Sequence, residues 1–132
     1  MGNGQFHLTP NGLSGVETSF AVLYNEGIRK ERLTIEQLVR LMSEEPARLF
    51  GLFPKKGALM EKSDADLLIF DPEGKGSISA KDLHSNSDWT PFEGLETAGS
   101  IQSVMLRGNW LLKEKTLMQE NLKKGRFVPA LI

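Results

Sequence analysis

Ala65-Asp66-Leu67-Leu68-Ile69-Phe70-Asp71-Pro72 decides the fold. An apolar run this short, flanked by aspartates and closed by Asp-Pro, is too brief for a helix and suits a buried strand. Upstream of it the pattern is helical. Val16, Phe20, Leu23 and Tyr24 recur at i, i+4, i+7 and i+8, one stripe of a helix running to about Arg29. Thr9-Pro10-Asn11-Gly12 forms a turn before it, and Ser14 with Glu17 fits a capping box at its start. Thr34 with Gln37 repeats the capping pattern, followed by a second stripe of Ile35, Leu38, Val39 and Met42. Ser43-Glu44-Glu45-Pro46 reads as a break and restart, which Gly51 ends.

Downstream of the run, residues 72–100 are rich in Gly, Ser, Pro and Asp and read as a long excursion with little regular structure. Ile101 to Leu112 reads as a hairpin turning at Gly108-Asn109, which makes its arms the third and fourth strands. Lys113 to Lys124 is charged and either helical or loose, and Gly125-Arg126-Phe127-Val128-Pro129 is a tail able to add a final short strand. Helices come first and strands second, an α+β pattern.

Composition narrows the function classes. The 132 residues fit one hydrophobic core, and 39% apolar with 25% charged residues is ordinary for a folded domain. Sixteen Lys plus Arg against seventeen Asp plus Glu leave a net charge of −1, so neither nucleic acid nor an anionic membrane is attracted by bulk charge. The absence of cysteine excludes a disulfide framework and thiolate metal sites. With no signal-peptide layout and no apolar stretch of membrane-spanning length, a cytoplasmic location is the expectation.

The chemistry-bearing residues are sparse. His7 and His84 lie in separate halves without metal-ligand spacing and read as surface or hydrogen-bonded histidines. Gly12-Leu13-Ser14-Gly15 has the wrong frame for a nucleophile elbow, and its serine suits a helix cap. Gly74-Lys75-Gly76-Ser77 lacks the upstream glycine of a phosphate loop. The Asp64/Asp66 and Glu44/Glu45 pairs read as solvated charges or caps rather than acid/base pairs. The residues by themselves supply no catalytic set and no metal site.

A collinear series of motifs carries a resemblance. Pro10-Asn11-Gly12-Leu13-Ser14-Gly15-Val16-Glu17-Thr18, Glu26-Gly27-Ile28-Arg29-Lys30-Glu31-Arg32-Leu33-Thr34 and Glu45-Pro46-Ala47-Arg48-Leu49-Phe50-Gly51-Leu52 resemble the closing part of the cyclic amidohydrolases. Lys56-Gly57, Ser63-Asp64-Ala65-Asp66-Leu67 and Phe70-Asp71-Pro72 continue it. Pro10-Asn11-Gly12 and His84-Ser85-Asn86-Ser87-Asp88-Trp89-Thr90-Pro91-Phe92-Glu93-Gly94 resemble the hydantoinase and dihydropyrimidinase branch more than the dihydroorotase one, and Pro10-Asn11-Gly12 speaks mildly against allantoin or dihydroorotate as substrate. The match runs in order from about Phe6 to Phe127.

The resemblance implies a fold and an activity. It makes the chain an α+β fragment: residues 1–54 the last helices of a (β/α)8 barrel, residues 55–132 the C-terminal strands of a small β-sandwich with a long loop at 72–100. Members open cyclic amides such as hydantoin and dihydropyrimidine rings, using two divalent metals, usually zinc, at the C-terminal mouth of the barrel. Their metal-binding histidines, carboxylated lysine and proton-shuttling aspartate match nothing here, so this chain is expected to hold no metal, to carry no catalytic residue and to be inert alone. Asn11 matches a loop residue that contacts the cyclic substrate through its backbone, and it equally suits a plain turn. The expected partners are a second copy, through an unpaired strand edge, and the N-terminal part of the enzyme. The other reading is a non-catalytic interaction or assembly module that partners an amidohydrolase.

Overall fold

The computed structural model describes residues 4, 7, 12–122 and 125–130. Helix α1 (Ser19–Leu23) runs into a π-helical turn (Tyr24–Ile28). After a short connection, α2 (Ile35–Val39), a second π turn (Arg40–Glu44) and α3 (Glu45–Leu49) follow without interruption. Strands β1 (Leu67–Ser77), β2 (Glu96–Leu106), β3 (Asn109–Lys113) and β4 (Thr116–Leu117) then build one antiparallel sheet in the order β1-β2-β3-β4. The whole is a small α+β unit.

Local chemistry explains the second helix. The Thr34 hydroxyl accepts from the Gln37 amide at 3.3 Å while the Gln37 side chain accepts from the Thr34 amide at 2.8 Å, so the capping box forms in full. The expected break at Ser43–Pro46 does not occur. Pro46 stands at the start of α3, where its missing amide hydrogen costs nothing extra, and the π turn carries the chain through. Gly51 stops the helix with φ 65°.

The first capping box is not made. Helix α1 starts at Ser19, later than Ser14, and its N-cap Thr18 makes no capping bond of its own. Instead the Thr18 hydroxyl donates to the Gly15 carbonyl and the Ser19 hydroxyl to the Val16 carbonyl. Glu17 is occupied elsewhere, as described below. Of the stripe assigned to this helix, Val16 is 94% exposed, whereas Phe20 and Tyr24 pack on Phe70 of β1.

The long excursion shrinks from 72–100 to 78–95, because β1 continues to Ser77 and β2 begins at Glu96. Pro72 is tolerated because β1 is an edge strand with an irregularity between Asp71 and Lys75, after which Lys75, Gly76 and Ser77 pair with Ala98, Thr97 and Glu96. The hairpin turns at Arg107-Gly108, one residue earlier than Gly108-Asn109, with φ of 46° and 77° as a type I′ turn demands. Its arms are the second and third strands. A second two-residue turn, Glu114-Lys115, is held to β2 by the Glu114 amide on the Ser103 hydroxyl and the Lys115 amide on the Gln102 carbonyl. Residues 125–130 add no strand.

Burial is shallow. Among the described residues only Tyr24, Leu38, Ala47 and Ile78 are buried apolar side chains, and Leu38 at 1% exposure is the only one fully enclosed. Leu49, Leu59 and Phe127 are four-fifths exposed or more, at 80%, 82% and 87%. The accessible surface is 9830 Å², against about 6,900 Å² for a compact monomer of 14.7 kDa.

Candidate functional site

The helices meet the sheet where Phe20 and Tyr24 pack on Phe70, and beside that contact they stand apart. Between them lies a cleft of about 1390 Å³, with Phe20, Ile35, Val39 and Met42 on the helical side and Leu68, Val104, Leu112 and Leu117 on the sheet side. The register explains the sheet wall: Leu68 pairs with Val104, Val104 with Leu112 and Leu112 with Leu117, so one aliphatic residue from each strand falls in a single row. The cleft exceeds the roughly 300–1,000 Å³ of ordinary small-molecule sites.

Two polar groups border it. The first is Glu17 with His84, 67 residues apart in sequence. Glu17 Oε2 accepts the His84 amide at 2.8 Å, and Oε1 lies 2.7 Å from His84 Nδ1. The carboxylate that local spacing assigns to a helix cap therefore tethers the 78–95 excursion to the segment before α1. The carboxylate on Nδ1 fixes the orientation of the ring. His84 is thus hydrogen-bonded, as read from sequence. His7 is exposed.

The second group corrects the sequence reading. Asp64 and Asp66 are not solvated charges: both grip Lys56, with Asp64 Oδ2 at 2.9 Å from Nζ and Asp66 Oδ2 in direct hydrogen bond with it. The Lys56 and Asp64 side chains are 16% and 17% exposed. Burial pulls the Lys56 pKa down most strongly, but its bonds to Asp66 and Asp64 outweigh that and hold the ammonium above the ordinary lysine value. The hydrogen bond from Lys56 likewise holds the Asp64 carboxyl below the ordinary aspartate value, against desolvation. Asp66 also accepts the Arg107 amide at 2.8 Å, so the cluster pins the β2–β3 turn. Glu44 and Glu45 do pair at the surface, with Arg48 and Arg40.

The Glu17–His84 and Lys56–Asp64–Asp66 groups bind separate segments of the chain together. Among the described residues no three His, Cys, Asp or Glu side chains converge. Where two carboxylates do approach one another, the Lys56 ammonium already stands between them, so this donor set does not fit a metal ion. Asn11, the candidate substrate contact, lies outside the described residues. No described helix is long and apolar enough to cross a membrane. Sequence reasoning missed the Glu17–His84 tether and the Lys56 cluster, since neither follows helical or strand spacing.

Known proteins share this framework. The sequence model of the amidohydrolase family matches residues 5–111. The D-hydantoinase of Geobacillus stearothermophilus is 43% identical over 115 residues, which are 87% of this chain and 24% of that protein. An Escherichia coli D-phenylhydantoinase is 39% identical over 125 residues, 95% of this chain and 27% of its own length. The crystal structure of D-hydantoinase from Bacillus sp. AR9 superposes with a TM-score of 0.83 at 41% identity, covering 89% of this chain and 25% of that one. The chain thus spans about a quarter of the length of the curated relatives it matches.

Proposed function

The chain belongs to the amidohydrolase family, and from that premise we propose that it forms the C-terminal segment of a metal-dependent hydrolase opening cyclic amides of the hydantoin and dihydropyrimidine type. One observation carries this reading: nearly the whole chain is collinear with one quarter of D-hydantoinases at about 40% identity, in sequence and in backbone alike. Residues 1–54 supply the closing helices of the (β/α)8 barrel, and residues 55–132 the C-terminal strands of the flanking β-sandwich. The divalent metals and the proton shuttle of the reaction come from the rest of such an enzyme. Asn11 contacts the cyclic substrate. Alone, the chain is inactive, and it self-associates in the cytoplasm through the open edge of β1.

The uncovered apolar surface favours a second reading, a non-catalytic module assembling on an amidohydrolase subunit.

A chimera tests the first reading. Residues 1–132 replace the matched quarter of the Geobacillus stearothermophilus D-hydantoinase, and hydantoin ring opening is followed by ultraviolet absorbance. Activity within about tenfold of the unmodified enzyme is expected from the shared framework. A folded, metal-loaded chimera that opens no ring overturns the reading.

A further inference from the structure

The excursion between β1 and β2 is built as an anchor. Its ends follow the paired residues Ser77 and Glu96, and they are drawn together further by the Ile78 amide on the Leu95 carbonyl at 3.0 Å and the Gly94 amide on the Ile78 carbonyl at 2.8 Å. Glu93 clasps the loop from within: one carboxylate oxygen accepts the Ser79 hydroxyl at 2.8 Å and the other the Ala80 amide at 2.7 Å. These bonds, the amide's first, hold the Glu93 carboxyl below the ordinary glutamate value, so the clasp is charge-assisted at neutral pH. A loop closed at its base, with Ile78 and Thr90 buried, presents its middle residues at a fixed place. His84 is one of them.

The segment that His84 meets has little support of its own. Residues 13–15 form no regular structure, Leu13 and Val16 are exposed, and a Cβ at Gly12 or Gly15 would meet only open space. The bonds of Thr18 and Ser19 to the Gly15 and Val16 carbonyls are internal to the segment and do not place it. Backbone without packing or a helix cap keeps its freedom unless another contact removes it. Glu17 supplies that contact with both oxygens, one on the His84 amide at 2.8 Å and one on the His84 ring at 2.7 Å. A single bond would let the segment pivot; a pair to one residue sets its direction as well as its distance.

We propose that Glu17 and His84 are positioning residues: through them the β1–β2 excursion sets where residues 12–17 stand, and so where the substrate-contacting turn beside them in sequence meets the cyclic amide. This rests on the reading of Asn11 as a substrate contact in a hydrolase of the hydantoin type. Neither residue of the pair touches substrate; both act through the backbone between. A contact made by backbone cannot be restored by rotating a side chain, so it depends on the segment being held. Such a contact, made alike to bound substrate and to the transition state, sets KM and leaves kcat unchanged.

Two readouts test this. On residues 1–132, nitrogen-15 NMR relaxation compares the wild type with Glu17→Ala, His84→Ala and His84→Asn, whose side-chain amide replaces the Nδ1 donor. Backbone order parameters at residues 13–17 are expected to lie near about 0.85 in the wild type and to fall below about 0.6 in Glu17→Ala. His84→Ala, which keeps the amide bond, should fall less, and His84→Asn should return close to the wild type. In the active chimera the KM for hydantoin should rise about fivefold in His84→Ala and about tenfold in Glu17→Ala, with kcat within about twofold and KM recovered in His84→Asn. Order parameters indifferent to Glu17→Ala, or an unmoved KM in an active chimera, overturn the positioning role and leave the parent reading standing. A loss of kcat at constant KM that His84→Asn does not recover marks a merely structural pair and also overturns it. A folded, metal-loaded chimera that opens no ring before either residue is changed overturns the parent reading, and this role with it.

Discussion

Gly99→Ala measures how tightly the helices are bound to the sheet. Gly99 lies in β2 at φ 79°, and a Cβ built there comes within 2.0 Å of Phe70 Cζ, far inside van der Waals contact. Phe70 is the hub of the contact between layers, edge-on to Phe20 at 5.0 Å between centroids and tilted against Tyr24 at 4.5 Å. An alanine held at left-handed φ costs about 1–2 kcal/mol. Pushing the ring away from two aromatic neighbours costs about 0.5–1.5 kcal/mol for each pair. The sum is roughly 3 kcal/mol, or a fall in Tm of roughly 12 °C for a domain of this size.

Gly108 supplies the internal control. It has nearly the same φ, 77°, but open space where a Cβ would go, so Gly108→Ala should cost only the conformational part, about 1–2 kcal/mol. Urea denaturation followed by far-ultraviolet circular dichroism compares the two variants. A Phe70→Ala background then removes the clash, and the Gly99→Ala cost should fall to that of Gly108→Ala. If the two glycines cost the same, or if the Gly99→Ala penalty survives in Phe70→Ala, the aromatic hub does not join the layers as argued.

The other predictions concern single contacts. Thr34→Ala removes one reciprocal bond of the capping box and should cost about 1 kcal/mol, read as a lower urea midpoint; no change means the cap is not stabilising. Lys56→Met leaves Asp64 and Asp66 without their cation. Because the Asp64 carboxyl is held below its ordinary 3.8, the pairing contributes stability above that value and loses it as pH falls through the lower folded value; because Lys56 is held above 10.5, its contribution is present below 10.5 and is lost as pH rises past the raised value. The gap in urea midpoint between the wild type and Lys56→Met should therefore be wide at pH 7 and narrow towards pH 3, and a gap independent of pH contradicts the pairing. His84→Ala should speed hydrogen exchange through residues 79–93 and leave global stability within about 1 kcal/mol, since the tether to Glu17 is solvent-exposed. Exchange unchanged in that loop shows the tether to be idle.

How much of this was legible depended on how local each interaction is. The Thr34–Gln37 box and the Gly51 stop are complete within a few residues, so spacing alone finds them. Ser14 and Glu17 show the same spacing, yet Glu17 is bonded to His84 across 67 residues, and a local pattern carries no sign of that competitor. Pro72, Gly74 and Gly76 read as loop chemistry because glycine and proline are poor in strands taken singly. Their strand state is imposed by β2, and at Gly74 a side chain would crowd Ser100 across the pair. The Lys56 cluster was hidden for a related reason: lysine 56 meets aspartates 64 and 66 only after the chain folds back, so the carboxylates looked solvated. The cleft was the least legible feature. Helical stripes at Ile35 and Val39 announce apolar faces, but not that those faces remain 43% and 53% exposed. The family was legible because it is written in the order of many weak motifs rather than in any one of them.

Under the proposed function this chain supplies scaffold, and the reacting groups belong to the rest of such an enzyme. Purified residues 1–132, equilibrated with zinc and dialysed, can be assayed together for bound metal by elemental analysis and for hydantoin ring opening. Zinc well below one equivalent and hydrolysis no faster than in buffer are expected. Stoichiometric zinc together with saturable ring opening would contradict that reading.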